Sequence, residues 1–118
     1  RRQPPKRSGT MAKRQWHDLE EIDAEEATFP LACTVDGADM VVFQNGDSYC
    51  GVQRLCPHQD ADFVRCGMVM GNGTMLRCRL HGWVFKLDTG KGVNAGQKDG
   101  IEVYEVERDG SRLKARKK

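Results

Sequence analysis

The sequence predicts an all-β domain, an antiparallel sandwich or small barrel. Three observations carry that expectation. Turn signals recur about every 8–12 residues from Thr28 onward. Short runs rich in β-branched and aromatic residues lie between them. No apolar stripe with a 3.6-residue period persists for ten residues.

The elements follow in order. Residues 1–14 read as a disordered basic tail, because RRQPPKRSGT holds two prolines and no apolar side chain. Met11 is the expected natural start, with the first ten residues an added or upstream remnant. Trp16 begins the folded part, and the domain is expected over 15–116. Asp18–Ala27 is acidic with Leu19 and Ile22, enough for one helical turn or a tethered loop. Strand-type runs then cover Phe29–Val35, Met40–Gln44, Tyr49–Leu55, Thr74–Arg77, Val84–Leu87, Ile101–Glu107 and Arg112–Ala115. Asp36-Gly37, Asn45-Gly46, Gly71-Asn72-Gly73, Asp88-Thr89-Gly90 and Asp109-Gly110 separate them, supplying the positive φ angles of tight turns.

At 118 residues the chain suits one domain with a modest core. No apolar run approaches a membrane span and no secretory signal is visible, so a soluble cytoplasmic protein without membrane contact is expected. The formal net charge of +2 hides an asymmetry. Residues 1–14 and 112–118 hold 11 of the 19 Lys and Arg and none of the 17 acids, leaving −9 on residues 15–111. Nucleic-acid binding is therefore not expected, and the acidic field suits either steering onto a basic partner or simple solubility. Five cysteines, an odd number without a secretion signal, favour metal ligation over a disulfide framework.

Two segments carry the chemistry, Cys56-Pro57-His58 and Cys78-Arg79-Leu80-His81. Each pairs a thiol with an imidazole on one tight loop, and 19 residues separate His58 from Cys78. A Rieske-type [2Fe–2S] centre needs two cysteines on one iron and two histidines on the other, so two such loops can clamp it from both sides. Gly82, after the second pair, permits close backbone approach. A structural zinc site of two cysteines and two histidines is the rival, although zinc fingers group like ligands on one loop.

Over residues 15–116 the chain resembles Rieske ferredoxins. Cys56-Pro57-His58-Gln59 and Cys78-Arg79-x-His81-x-Trp83-x-Phe85, followed by Thr89-Gly90-Lys91-Gly92-Val93-Asn94, are similar to the ferredoxin components of toluene-type aromatic and alkene monooxygenases. The resemblance implies a Rieske fold, a β-sandwich with a small cluster-binding subdomain. It implies ligation by Cys56, His58, Cys78 and His81. It further implies a non-enzymatic carrier that relays single electrons from a flavin-dependent ferredoxin reductase to a diiron hydroxylase, the terminal oxygenase, in aromatic hydrocarbon catabolism. A monomer is expected. The segment Gln59–Arg77 looks two or three residues longer than usual in that family.

Alternatives stay open at this point. One is the ferredoxin of a ring-hydroxylating dioxygenase. Another is the Rieske-like small subunit of nitrite reductase, or a structural zinc module. No mononuclear-iron domain follows Lys118, so a complete oxygenase is not expected.

The resemblance also separates this chain from high-potential respiratory members. Ala61 and Leu80 stand where those proteins carry a bridging disulfide, and Trp83 and Phe85 where they carry a serine and a tyrosine. With no hydroxyl given to the sulfurs, a low potential is expected.

The other notable residues have plainer readings. Cys33 and Cys50 lie in strand-type runs and read as small buried hydrophobes, Cys66 as a non-functional thiol and His17 as a surface residue. Trp83 and Phe85 shield the site more than they conduct. Arg65, Arg77 and Arg79 are equally consistent with solvated side chains and with a grip on an acidic partner.

Overall fold

The computed structural model describes residues 15–57, 60–94, 96–97 and 99–118. The expected disordered tail, residues 1–14, lies outside the described residues.

Among the described residues, nine strands form two antiparallel sheets, with one short helix between them in the chain. The larger contains β1 (His17–Asp18), β2 (Leu31–Val35), β3 (Ala38–Asn45), β4 (Ser48–Gln53), β8 (Val103–Asp109) and β9 (Arg112–Lys117), in the order β1-β9-β8-β4-β3-β2. The smaller contains β5 (Gly67–Met70), β6 (Met75–Cys78) and β7 (Val84–Lys86), in that order. Helix α1 (Phe63–Cys66) leads directly into β5. The all-β, antiparallel expectation therefore holds, as a main sheet with a small three-stranded subdomain.

Hairpin registers follow from turn chemistry. Val35 pairs with Ala38 across Asp36-Gly37, whose φ angles of 50° and 81° are the two positive values that a two-residue turn of this twist needs.

The period-2 pattern of β3 gives the main sheet two apolar faces. Val41 and Phe43, with Val52 and Val103, face the small sheet and join a core with Phe63, Leu76 and Phe85. Met40 and Val42, with Tyr104, Val106, Leu113 and Ala115, face the other way. That second face is covered by the segment around Leu19, Ile22 and Ala24, all buried. Its backbone is tied down by Leu19 N–H to Leu113 O at 2.9 Å and Ala24 N–H to Ser111 O at 2.7 Å. It is the tethered loop of the two sequence readings. Its apolar residues turn inward and its acids outward.

Three elements escape the sequence reading. β1 is two residues long, too short for a periodic signal. Helix α1 and β5 fill the segment between the two Cys/His pairs, where Phe63, Val64 and Met68–Met70 carry no clear period. The strand-type run Arg112–Ala115 is part of β9, which extends to Lys117. It pairs with β8 from Asp109↔Arg112 to Tyr104↔Lys117. Its cations meet acids: Arg116 Nε lies 2.7 Å from Glu105, Lys117 3.4 Å from Glu102 and Lys114 4.0 Å from Glu107. Lys114 and Arg116 also lie 4.9 and 4.5 Å from the Trp16 ring centroid. Residues 15–118 thus carry a net −4, not the −9 obtained by leaving residues 112–118 out.

Among the described residues, no helix is long and apolar enough to cross a membrane.

Candidate metal centre

Two loops at the end of the small sheet repeat one backbone design. In the first, Cys56 N–H donates to Ala61 O at 2.8 Å and Asp60 N–H donates to Cys56 O at 2.8 Å. In the second, Cys78 N–H donates to Trp83 O at 2.7 Å and Gly82 N–H donates to Cys78 O at 2.7 Å. Each closure needs a left-handed residue four positions after the cysteine, and Asp60 (φ 56°) and Gly82 (φ 76°) supply it. The sequence shows only two Cys/His pairs of unequal spacing. The structure makes them equivalent turns.

The turns are held by different neighbours. Asp62 closes the first: its Oδ1 accepts from Val64 N–H at 2.9 Å as the N-cap of α1. Its Oδ2 accepts from Arg54 Nε and Nη2 at 3.1 and 3.0 Å. The Arg54 guanidinium, foremost through these hydrogen bonds, holds the Asp62 carboxyl below the usual carboxylate range. The second turn is tied to α1 by Arg79, whose N–H donates to Cys66 O and whose Nη2 donates to Arg65 O, both at 2.7 Å. The next loop is stapled to β7: Val93 N–H donates to Val84 O at 3.0 Å, and Asn94 Oδ1 accepts from Val84 N–H at 2.8 Å. Asn94 ends the motif that carries the family resemblance, but the sequence assigns a structural role neither to it nor to Asp62. An aspartate before Phe63-Val64-Arg65-Cys66 is a capping signal that could have found the first. Nothing local marks the second.

Cys56 and Cys78 are fully buried and share one core cluster with Phe63 and Phe85. Those two rings meet edge to face, with centroids 6.1 Å apart. His81 is half-buried at the top of the second turn. His58 and Gln59 lie outside the described residues. Among the described residues, no group of three or more His, Cys, Asp or Glu side chains is gathered to hold a metal ion. What the structure brings together is the thiol half of the expected donor set, on two matching turns. Two thiols buried against apolar rings with a half-buried imidazole above suit a binuclear cluster with sulfur ligands inside and nitrogen ligands outside.

Cys33 and Cys50 stand apart from this arrangement, and none of the five cysteines is in a disulfide. Cys33 and Cys50 lie on β2 and β4. Burial, the largest cause for both, pushes their thiols up to about 11. Cys66 closes α1 and packs against the core around Cys56 and Cys78. Ala61 is buried and Leu80 is 61% exposed, so no side chain bridges the two turns at those positions. His17 sits on β1 opposite Ala115, remote in sequence and sheet from the cysteine turns.

The family model described as "Rieske [2Fe-2S] domain" matches residues 15–105. Among curated proteins, the chain is 38% identical over 80 residues to the 5,5'-dehydrodivanillate O-demethylase oxygenase subunit of Sphingobium sp., covering 65% of this chain. It spans only 18% of that relative's length. Among solved structures, the ferredoxin of carbazole 1,9a-dioxygenase from Nocardioides aromaticivorans superposes with a TM-score of 0.62 at 25% identity. That match covers 84% of this chain and 91% of the ferredoxin. A putative NADH-dependent nitrite reductase small subunit from Mycobacterium tuberculosis shares the fold, with a TM-score of 0.68 at 17% identity, covering 87% and 95% of the two chains.

Proposed function

The chain belongs to the Rieske [2Fe-2S] domain family and so carries a [2Fe–2S] cluster, and from that premise we propose that it passes single electrons to the oxygenase of a multicomponent aromatic oxygenase system. Cys56, Cys78, His81 and His58 are the proposed ligands. The observation that carries the reading is the pair of matching turns, each presenting a fully buried cysteine to one apolar core. Bound there, the cluster supplies a reversible one-electron couple. Burial of Cys56 and Cys78 among Phe63 and Phe85 keeps water from the thiolates, and the closed turns fix their direction. His81, half-buried, marks the side from which electrons enter and leave.

A flavin-dependent reductase is the proposed donor, and the chain itself is proposed to be a carrier without catalysis of its own. Likeness to a dioxygenase ferredoxin supports a dioxygenase-type acceptor; the toluene-type motif similarity keeps the hydroxylase of a monooxygenase as the other acceptor. The five cysteines form no disulfide, which suits a reducing compartment, and a cytoplasmic monomer is proposed. Iron, sulfide and zinc analysis with paramagnetic resonance tests the cluster and its ligands. Two irons, two sulfides and a reduced-state signal are expected, and Cys78→Ser or His81→Ala should abolish them. A colourless zinc protein would defeat the reading.

A second reading has its own support. The 38% identity is to an oxygenase subunit, so the same domain could receive electrons within a larger oxygenase chain. A coding sequence that continues in frame into a mononuclear-iron domain would favour it.

A further inference from the structure

Charge is unevenly distributed along this domain, with residues 94–118 near balance at seven bases against five acids. Residues 15–53 carry nine acids and no lysine or arginine, whereas residues 54–93 carry six bases against three acids. The fold separates the two sets. Glu20, Glu21, Asp23, Glu25 and Glu26 are exposed on the segment that covers one face of the main sheet. The cysteine turns and small sheet pack on the other face.

On the cysteine side, Arg65, Arg77 and Arg79 are all exposed, and among the described residues none of them is in a salt bridge. They are placed by the second turn. Arg79 Nη2 donates to Arg65 O at 2.7 Å, and a Cβ on Gly82 would lie 3.6 Å from Arg77 Nη2. Leu80, 61% exposed, sits between Arg79 and His81. The nearby acid Asp62 is already occupied by Arg54 and by its capping bond. An exposed leucine bordered by unneutralised guanidinium groups is suited to a carboxylate-bearing surface, because each planar fork can bind a carboxylate in two-point fashion.

We propose that Leu80 with Arg65, Arg77 and Arg79 forms the docking face for an acidic partner protein, and that the acidic layer on the opposite side of the sheet turns this face toward it. The proposal rests on the electron-transfer reading and specifies the partner's charge. It reverses the expectation that the domain's acids make the contact. A domain whose residues 15–118 carry a net −4 and that docks by a positive face is oriented by its dipole more than by that net charge.

The test is voltammetry of the full chain at low salt on gold carrying carboxylate-terminated or amine-terminated monolayers. One electron passes from the electrode to the oxidised protein and returns on the reverse sweep, with no bond made or broken. Electron exchange should be about tenfold faster on the carboxylate surface, and that advantage should fade as salt rises. Arg65→Gln/Arg77→Gln/Arg79→Gln should remove the advantage, while Glu20→Gln/Glu21→Gln should keep it with the visible spectrum unchanged. Arg65→Gln alone, outside the cysteine turns, should reduce it in part and serves if the triple variant fails to fold. Faster exchange on the amine surface overturns the proposal. So does a triple variant that keeps the wild-type preference, which would assign the contact to the basic residues of 1–14. An intact cluster spectrum with no wave on either surface would instead defeat the electron-transfer reading beneath it.

Discussion

Asp60 and Gly82 occupy the same place in two turns. Each lies four residues after a buried cysteine, each has positive φ, and each donates its N–H to that cysteine's carbonyl, at 2.8 and 2.7 Å. The two sites differ in one respect. Gly82 adopts the left-handed region without a Cβ penalty, whereas Asp60 bears one that a short polar side chain tolerates. Gly82→Ala meets only Arg77 Nη2 at 3.6 Å, so its cost is backbone strain without a clash, about 1–2 kcal/mol. Asp60→Gly should be close to neutral, relief of strain offsetting the greater freedom of the unfolded chain. Denaturant midpoints of the two variants measure the asymmetry, and equal losses would show that the turns are not equivalent.

Asp62 has a structural role as the cap of α1 and the partner of Arg54. Asp62→Ala removes the cap of α1 and should cost about 1 kcal/mol. Asp62→Asn keeps an acceptor for Val64 N–H and should cost less. Because the folded carboxyl is held below its ordinary range, its stabilisation is present above the ordinary carboxylate pKa and is lost as pH falls through the lowered value. Chemical denaturation of wild type and Asp62→Asn between pH 7 and pH 3 should converge toward acid. Parallel curves would remove the linkage.

The potential should lie toward the low end of the Rieske range, about −150 mV. Phe85, fully buried against Phe63, offers no hydroxyl to a sulfur. Phe85→Tyr should raise the midpoint, since a donor to sulfur favours the reduced state. Protein-film voltammetry of both forms decides it. A wild-type value near +200 mV would contradict the expectation.

Cys33 and Cys50 should resist alkylation. Burial raises both thiols to about 11, so at pH 8 their thiolate fractions are small and iodoacetamide should label both slowly. Raised folded values also mean that stability is intact below the ordinary thiol pKa and falls as pH climbs from about 9 toward 11. Peptide mass mapping across that range reads the labelling. Rapid modification of folded protein at pH 8 would show that these strands open.

Local chemistry made much of this protein readable in its sequence. Asp36-Gly37 demands a tight turn because its positive φ angles suit few other dipeptides, and the apolar run Met40–Phe43 then defines a strand. The cysteines at 56 and 78, each followed by a histidine at short range, make a metal site the expectation, because each pairs two metal-ligand side chains on one short segment. Other features depend on partners distant in the chain. β1 exists because His17 and Asp18 meet Ala115 and Lys114. The expected strand Arg112–Ala115 runs on to Lys117 because β8 supplies both its ladder and its counter-charges. The matching of the two cysteine turns lies in backbone hydrogen bonds, which residue types do not spell out. Which charges face the cysteine turns was decided by the tertiary structure alone, because a sheet's two faces separate residues that composition counts together.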